Sequence, residues 1–366
     1  MAVTLSEVQR IPASGARAVE AISVDGLELL AIPQLALDIP GQDAGMNGGN
    51  SNTDLLLLRR DGGRYVRHSS LPAPGGEDAE FFTIGDRAFL AVASIRSGTG
   101  PYRYVTESRI HEWRDGEFRP FQEIETFAAK QWRHWQLDGR HFLGLAQGVQ
   151  APHIAEPNRD SVIFEWDGSA FTEFQRLPSW WAYNWHPFQI GGEFFVAHAD
   201  HLGPSVLFRW DGTQYLAHQV LMERAGRCFA SFEHDDAHYL IVGSIEAPVR
   251  VLRWRHGRFE TVQELPGLGA RELRVVHTGG RLFVVRVNFI LGTPANPQTA
   301  LTSHIYEWRD GALTVVAGFP TSGGTDVELV AEGEDIQLVV ANSLTPAVRF
   351  ANHAVVYNLS VTDGPS

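Results

Sequence analysis

The chain has 366 residues, 44% of them hydrophobic and 11% aromatic, which is enough apolar material for a large core and excludes global disorder. Its 30 Lys and Arg against 43 Asp and Glu give a formal charge of -13, which disfavours a nucleic-acid partner, because phosphates need clustered positive charge. No apolar run reaches the roughly 18 residues that a membrane helix needs, so no membrane partner is expected.

The N-terminus, MAVTLSEVQRIP, shows neither the basic nor the apolar region of a secretory signal. Cys228 is the only cysteine and cannot form an internal disulfide. Together these features predict a cytoplasmic protein. Lys130 is the only lysine, which we read as compositional bias rather than as a Schiff-base residue.

Residues 3–12 read as a lone strand, and a repeated phrase follows. It runs IHEWRDGEF at 110–118, FEWDGSAF at 164–171, LFRWDGTQY at 207–215, VLRWRHGRF at 251–259 and IYEWRDGAL at 305–313. Weaker copies place Arg59 and Tyr357 where the others place Trp113, Trp166, Trp210, Trp254 and Trp308. The seven copies are spaced 44 to 54 residues apart. Each copy follows two short strands joined by a Gly/Asp turn, such as Asp138-Gly139, Gly191-Gly192 or Gly279-Gly280, which is antiparallel hairpin chemistry. A fourth strand follows each Trp strand.

Four strands repeated at this period predict an all-β, seven-bladed β-propeller of four-stranded antiparallel blades. The expected domain spans 1–366, with blades near 13–72, 73–126, 127–178, 179–222, 223–266, 267–320 and 321–360. Strand 3–12 is expected to complete the last blade and close the ring, leaving no open edge.

Stretches such as FLAVAS, YLIVGS, EWRDGEFRPFQEI and EWDGSAFTEFQRL resemble the epitempin, or epilepsy-associated (EAR, EPTP), repeat. The resemblance covers all seven copies and implies a seven-bladed propeller. Members such as the leucine-rich glioma-inactivated proteins act through protein–protein contacts, and the resemblance supplies no catalytic residues. With no signal-like start and no leucine-rich segment, this chain is expected to be a cytoplasmic, bacterial-type member.

The long loops, 34–53, 95–107, 147–160, 289–303 and 343–353, all join second to third strands and are expected on the top face, where binding concentrates. The Gly-rich stretch 41–53 reads as mobile. Its glycines lack phosphate-loop spacing, so it receives no nucleotide role.

Aligning the inner strands on their turns isolates one position, held by Glu20, Glu80, Arg133, His186, Ala230, Arg274 and Glu328. Charge there is costly unless it is paired or solvated by the channel. The second strands end in a polar ring, Gln34, Ser94, Gln147, Asp200, Ser244, Asn288 and Asn342. Pairing Ile190 with Phe194 would oppose His186 to His198, and the same register would oppose Arg274 to Arg286.

On that register the channel top is an anion site. His186 and His198 serve as acid and base, with Glu20, Glu80 and Glu328 sharing protons. Arg133, Arg274, Arg286, Asp200 and Asn288 hold the substrate, and Trp181 and Trp185 form a wall. The arginines could instead pair with Glu272 or Glu328, and the histidines could be hydrogen-bonded core residues. His186, His198 and Asp200 could form a metal face, and His234, Asp235, Asp236 and His238 fall in a bottom turn; neither set is taken as a metal site.

The leading expectation is therefore a cofactor-independent lyase, isomerase, cyclase or hydrolase acting on an anionic, partly apolar or aromatic small molecule. The alternative is a non-catalytic EAR module that binds a protein or a glycan.

Overall fold

Hairpins with two-residue turns set the blades. Asp25-Gly26, Asp138-Gly139, Gly191-Gly192 and Gly279-Gly280 place both central residues at positive φ, between 48° and 85°. This turn type matches the right-handed twist of the flanking strands. The computed structural model describes residues 2–151, 154–332 and 335–362. The remaining positions of the expected 1–366 span, and residues 152–153 of loop 147–160, lie outside the described residues.

Among the described residues the strands form seven four-stranded antiparallel sheets and one two-stranded hairpin, Leu291–Thr293 with Asn296–Gln298, in the loop of blade six. Each four-stranded sheet is one propeller blade, and the inner strands surround a central channel. Those strands are, in order, Glu20–Val24, Gly76–Ile84, Gln131–Leu137, Ala182–Ile190, Gly226–His234, Ala270–Thr278 and Gly324–Glu332. The first strand of the chain, Ala2–Ser14, pairs along its whole length with Ala351–Thr362 and becomes the outer strand of blade seven. The ring is thereby closed between the two ends of the chain. No helix among the described residues is long and apolar enough to cross a membrane.

The repeat phrase has a packing reason. Each tryptophan reaches back to the preceding blade. Trp166 packs on Phe89, Trp210 on Phe142, Trp254 on Phe195 and Trp308 on Phe232. Phe89, Phe142 and Phe195 are fully buried, and burial of each contributes about 1.5–3 kcal/mol.

A glutamine in the outer strand of five blades does a second job. Gln122 accepts the Phe171 N–H and donates to the Phe171 carbonyl. Gln175 makes the same two bonds with Tyr215, Gln219 with Phe259, Gln263 with Leu313, and Gln9 with Tyr65. One amide thus satisfies a buried donor and acceptor of the next blade's outer strand.

Candidate functional site

The hairpin register decides the expected site. Ile190 pairs with Glu193, not Phe194, because the Gly-Gly turn has only two residues. His186 therefore pairs with Ala197, and His198 with Trp185. A one-residue slip sends the two side chains to opposite sheet faces, so the expected acid–base pair does not form. Blade six repeats the correction: Arg274 pairs with Val285, and Arg286 with Leu273.

Each displaced residue has a structural task. His186 Nε2 lies 2.8 Å from Ser231 Oγ in blade five, and His198 Nε2 lies 3.0 Å from Ser161 Oγ in blade three. Burial lowers the pKa of His186 to about 3 and that of His198 to about 4, so both are neutral at pH 7, with no proton to donate as imidazolium, and are weak bases. Arg286 is 1% exposed and donates to Asn288 Oδ1 and to the Pro266 and Leu268 carbonyls, each at 2.9 Å. Asn288 donates onward to the Thr302 carbonyl. Asp200 accepts the N–H groups of Trp180, Trp181, Leu202 and Gly203 and fixes the loop start. Trp185 is 1% exposed and stacks near His198 in the core, so it walls no open site.

The channel carboxylates staple blades together. Glu20 accepts the Phe81 N–H, Glu80 the His134 N–H, Asp78 the Trp132 N–H and Asp326 the Val19 N–H, each from the next blade. Arg133 pairs with Glu80 at 3.0 Å. Arg274 pairs with Glu272 at 2.9 Å and with Asp326 at 3.5 Å. Burial raises the pKa of Glu328 to about 7 and of Asp78 to about 8, against the pull of Arg274 and Arg133 respectively. Among the described residues no three His, Cys, Asp or Glu side chains gather as metal ligands would. His234 Nε2 instead lies 3.4 Å from Asp235, and His238 Nδ1 lies 3.1 Å from Glu233.

The open site lies one level higher. Three residues before each position of the aligned ring stand Arg17, Glu77, Lys130, Tyr183, Arg227, Arg271 and Thr325. In blades two, four, five, six and seven this residue is the extra one of a β-bulge at the top of the inner strand. A bulge re-aims the side chain it carries, here into the channel mouth.

Arg17 grips Glu77 in a two-pronged bond at 2.7 and 2.9 Å, Arg271 reaches it at 3.3 Å and Lys130 at 3.9 Å. Burial would raise the Glu77 pKa, but these three cations hold it at about 2. The Arg227 guanidinium lies 3.6 Å over the Tyr183 ring, with Arg271 and Lys130 at 5.2 and 5.3 Å. Burial opposes ionisation of Tyr183, yet Arg227, Lys130 and Arg271 bring its pKa below the ordinary value. Burial also pulls Lys130 below its ordinary value, and Arg17 and Arg271 add to that pull.

Above this floor opens a funnel of about 640 Å³, within the range of ligand sites. Its walls come from second-to-third loops of six blades and include Leu35, Ile95, Val149, Ile245 and Phe289, with Trp181 from a blade link and Tyr183 from an inner-strand bulge. The stretch expected to be mobile is tied down: Arg96 donates to the Asn47 and Gly48 carbonyls, and the Tyr102 hydroxyl to the Gly49 carbonyl. Of the sequence-predicted site residues, the funnel collects Trp181 alone. Its floor was missed because the bulges shift these residues out of the strand alternation, although three arginines and the lone lysine at one level were a visible signal.

Residues 117–167 and 170–211 match the EPTP domain. Thrombospondin-type laminin G domain and EAR repeat-containing protein from Mus musculus is 28% identical over 307 residues, covering 78% of this chain and 44% of the relative. Leucine-rich repeat LGI family member 3 from Mus musculus is 25% identical over 283 residues, covering 68% of this chain and 50% of the relative. This chain is similar to EAR-repeat proteins. It spans half or less of the length of these relatives. A chain of the crystal structure of BBS1N in complex with ARL6DN, soaked with mercury, superposes with a TM-score of 0.59 at 12% identity, covering 98% of this chain and 97% of that one; this likeness concerns the fold alone.

The EAR relatives also correct the expected location. The laminin G and LGI relatives are secreted extracellular proteins, which conflicts with the cytoplasmic reading. That reading is withdrawn.

Proposed function

We propose that this chain is a non-catalytic interaction module that takes a protein partner at the top-face funnel. The observation that carries the reading is the funnel itself, an apolar-walled recess built from the loops of six blades. Loops on a rigid scaffold are the usual place for recognition. Its similarity to EAR-repeat proteins, which are protein-interaction modules, supports the same reading. The acid–base alternative loses its basis, because His186 and His198 face apart and each is held by a serine.

A photo-crosslinking residue placed at Leu268, an exposed funnel position, tests the proposal. A matched probe at Val315, exposed on an outer strand, is the control. The expected result is one discrete adduct with a protein of the source organism at position 268, absent at 315 and abolished by Phe289→Asp. Equal labelling at both positions, or no adduct at 268, would overturn the reading.

A further inference from the structure

The funnel floor carries more positive charge than the protein neutralises. Arg17, Lys130, Arg227 and Arg271 converge there, and Glu77 is the one carboxylate among the seven bulge-level residues. This happens in a chain whose formal charge is -13, so the cations are concentrated rather than typical. Glu77 is fully shared already: Arg17 takes both of its oxygens, and Arg271 and Lys130 crowd one of them. Lys130 is 5% exposed, and its ammonium makes no hydrogen bond among the described residues beyond the long contact with Glu77. Arg227 Nε and Trp181 Nε1 are buried without hydrogen-bond partners. Arg96, by contrast, is spent on loop carbonyls and on Ser51.

Buried like charges persist only when something neutralises them. The channel carboxylates below are committed to Arg133, Arg274 and backbone N–H groups. On the wall, Glu246 acts on Arg227 and lies 3.6 Å from His201, one carboxylate against several cations; further counter-charge enters from above, through the funnel, whose walls are largely apolar.

We propose that the funnel is a receptor for an amphipathic anion: its carboxylate or phosphate seats on Lys130, Arg227 and Arg271, and its apolar body lies against Ile95, Val149, Trp181 and Phe289. This rests on the funnel as the binding element, and it names the chemistry a partner must present. That chemistry can come from a free amphiphile or from the carboxylate end of an apolar peptide. The cationic floor repels cations. Low-dielectric walls strengthen the attraction, and the funnel focuses it.

The test is calorimetric titration of the intact chain with four probes: decanoate, decanol, and an acetylated leucine–phenylalanine tetrapeptide with either a free or an amidated C-terminus. At least one carboxylate probe is expected to bind, and its neutral counterpart is not. Binding should weaken with salt, as exposed ionic attraction does. Lys130→Gln and Arg227→Gln should each weaken it by about tenfold or more, while Arg64→Gln, on an exposed outer strand, should not change it. Preference for decanoate over the free-acid peptide assigns the site to a small amphiphile, and the reverse assigns it to a peptide terminus.

Equal affinity for neutral and charged probes, or binding by none, overturns the proposal. The wild-type comparison of decanoate with decanol stands even if a variant fails to fold. A crosslink at Leu268 that survives both floor substitutions would leave the interaction module intact and sink the anion receptor. Anion binding without any crosslinked protein would do the opposite.

Discussion

His186 and His198 stand on opposite faces of one hairpin, the first opposed to Ala197 and the second to Trp185. They share a blade but no partner: His186 bonds to Ser231 and His198 to Ser161. Each therefore ties blade four to a different neighbour.

This separation has a pH signature. Burial depresses both pKa values in the folded chain, to about 3 and about 4, below the ordinary 6.5. The unfolded chain binds these protons first as pH falls, so their contribution is complete above about pH 6.5 and is lost on acidification toward 4. Each histidine should add about 1.4 kcal/mol per pH unit to the slope within that window. Denaturant titrations from pH 6.5 to 4 on wild type, His186→Gln and His198→Gln should show a shallower slope in each variant. Effects that add in the double variant confirm the absence of coupling.

Arg286 is a core strut. Replacing it with Met leaves the Pro266 and Leu268 carbonyls without their donor, at about 1–3 kcal/mol for each unsatisfied group. A fall in unfolding free energy with unchanged decanoate affinity is the expected outcome. A stable variant that loses anion binding would return Arg286 to the site.

Ring closure depends on the first strand. Removing residues 2–14 strips Ala351–Thr362 of its partner and exposes an unpaired edge. Size-exclusion chromatography should show aggregation in place of a monodisperse wild-type peak, and adding the strand back as a peptide should reduce it.

Glu77 is the keystone of the floor. Glu77→Gln leaves Arg17, Lys130 and Arg271 without their shared carboxylate, a loss on the order of 3–5 kcal/mol for a buried pair. Thermal unfolding should show this loss, and decanoate should restore more stability to the variant than it adds to wild type.

The blades were legible in the sequence because every junction between them needs the same devices. Trp166, Trp210, Trp254 and Trp308 wedge against the blade before, and Gln122, Gln175, Gln219 and Gln263 clamp the blade after. A requirement repeated in space is a pattern repeated in sequence. The polar ring at the second-strand ends was also visible, but its residues are straps: Gln34, Gln147 and Asn342 each accept a backbone N–H from the end of an outer strand. The floor was hidden for the opposite reason. Arg17, Glu77, Lys130, Tyr183, Arg227, Arg271 and Thr325 share a place but mix cations with a carboxylate, a phenol and a hydroxyl, and the bulges that aim five of them interrupt the alternation by which strand faces are read.

The decisive measurement is a crystal structure of the chain with decyl phosphate. The phosphate is expected against Lys130, Arg227 and Arg271, with the alkyl chain along Trp181 and Phe289. Density for the ligand at the level of His186 and Glu20, or away from the channel mouth altogether, would contradict the funnel as the binding site.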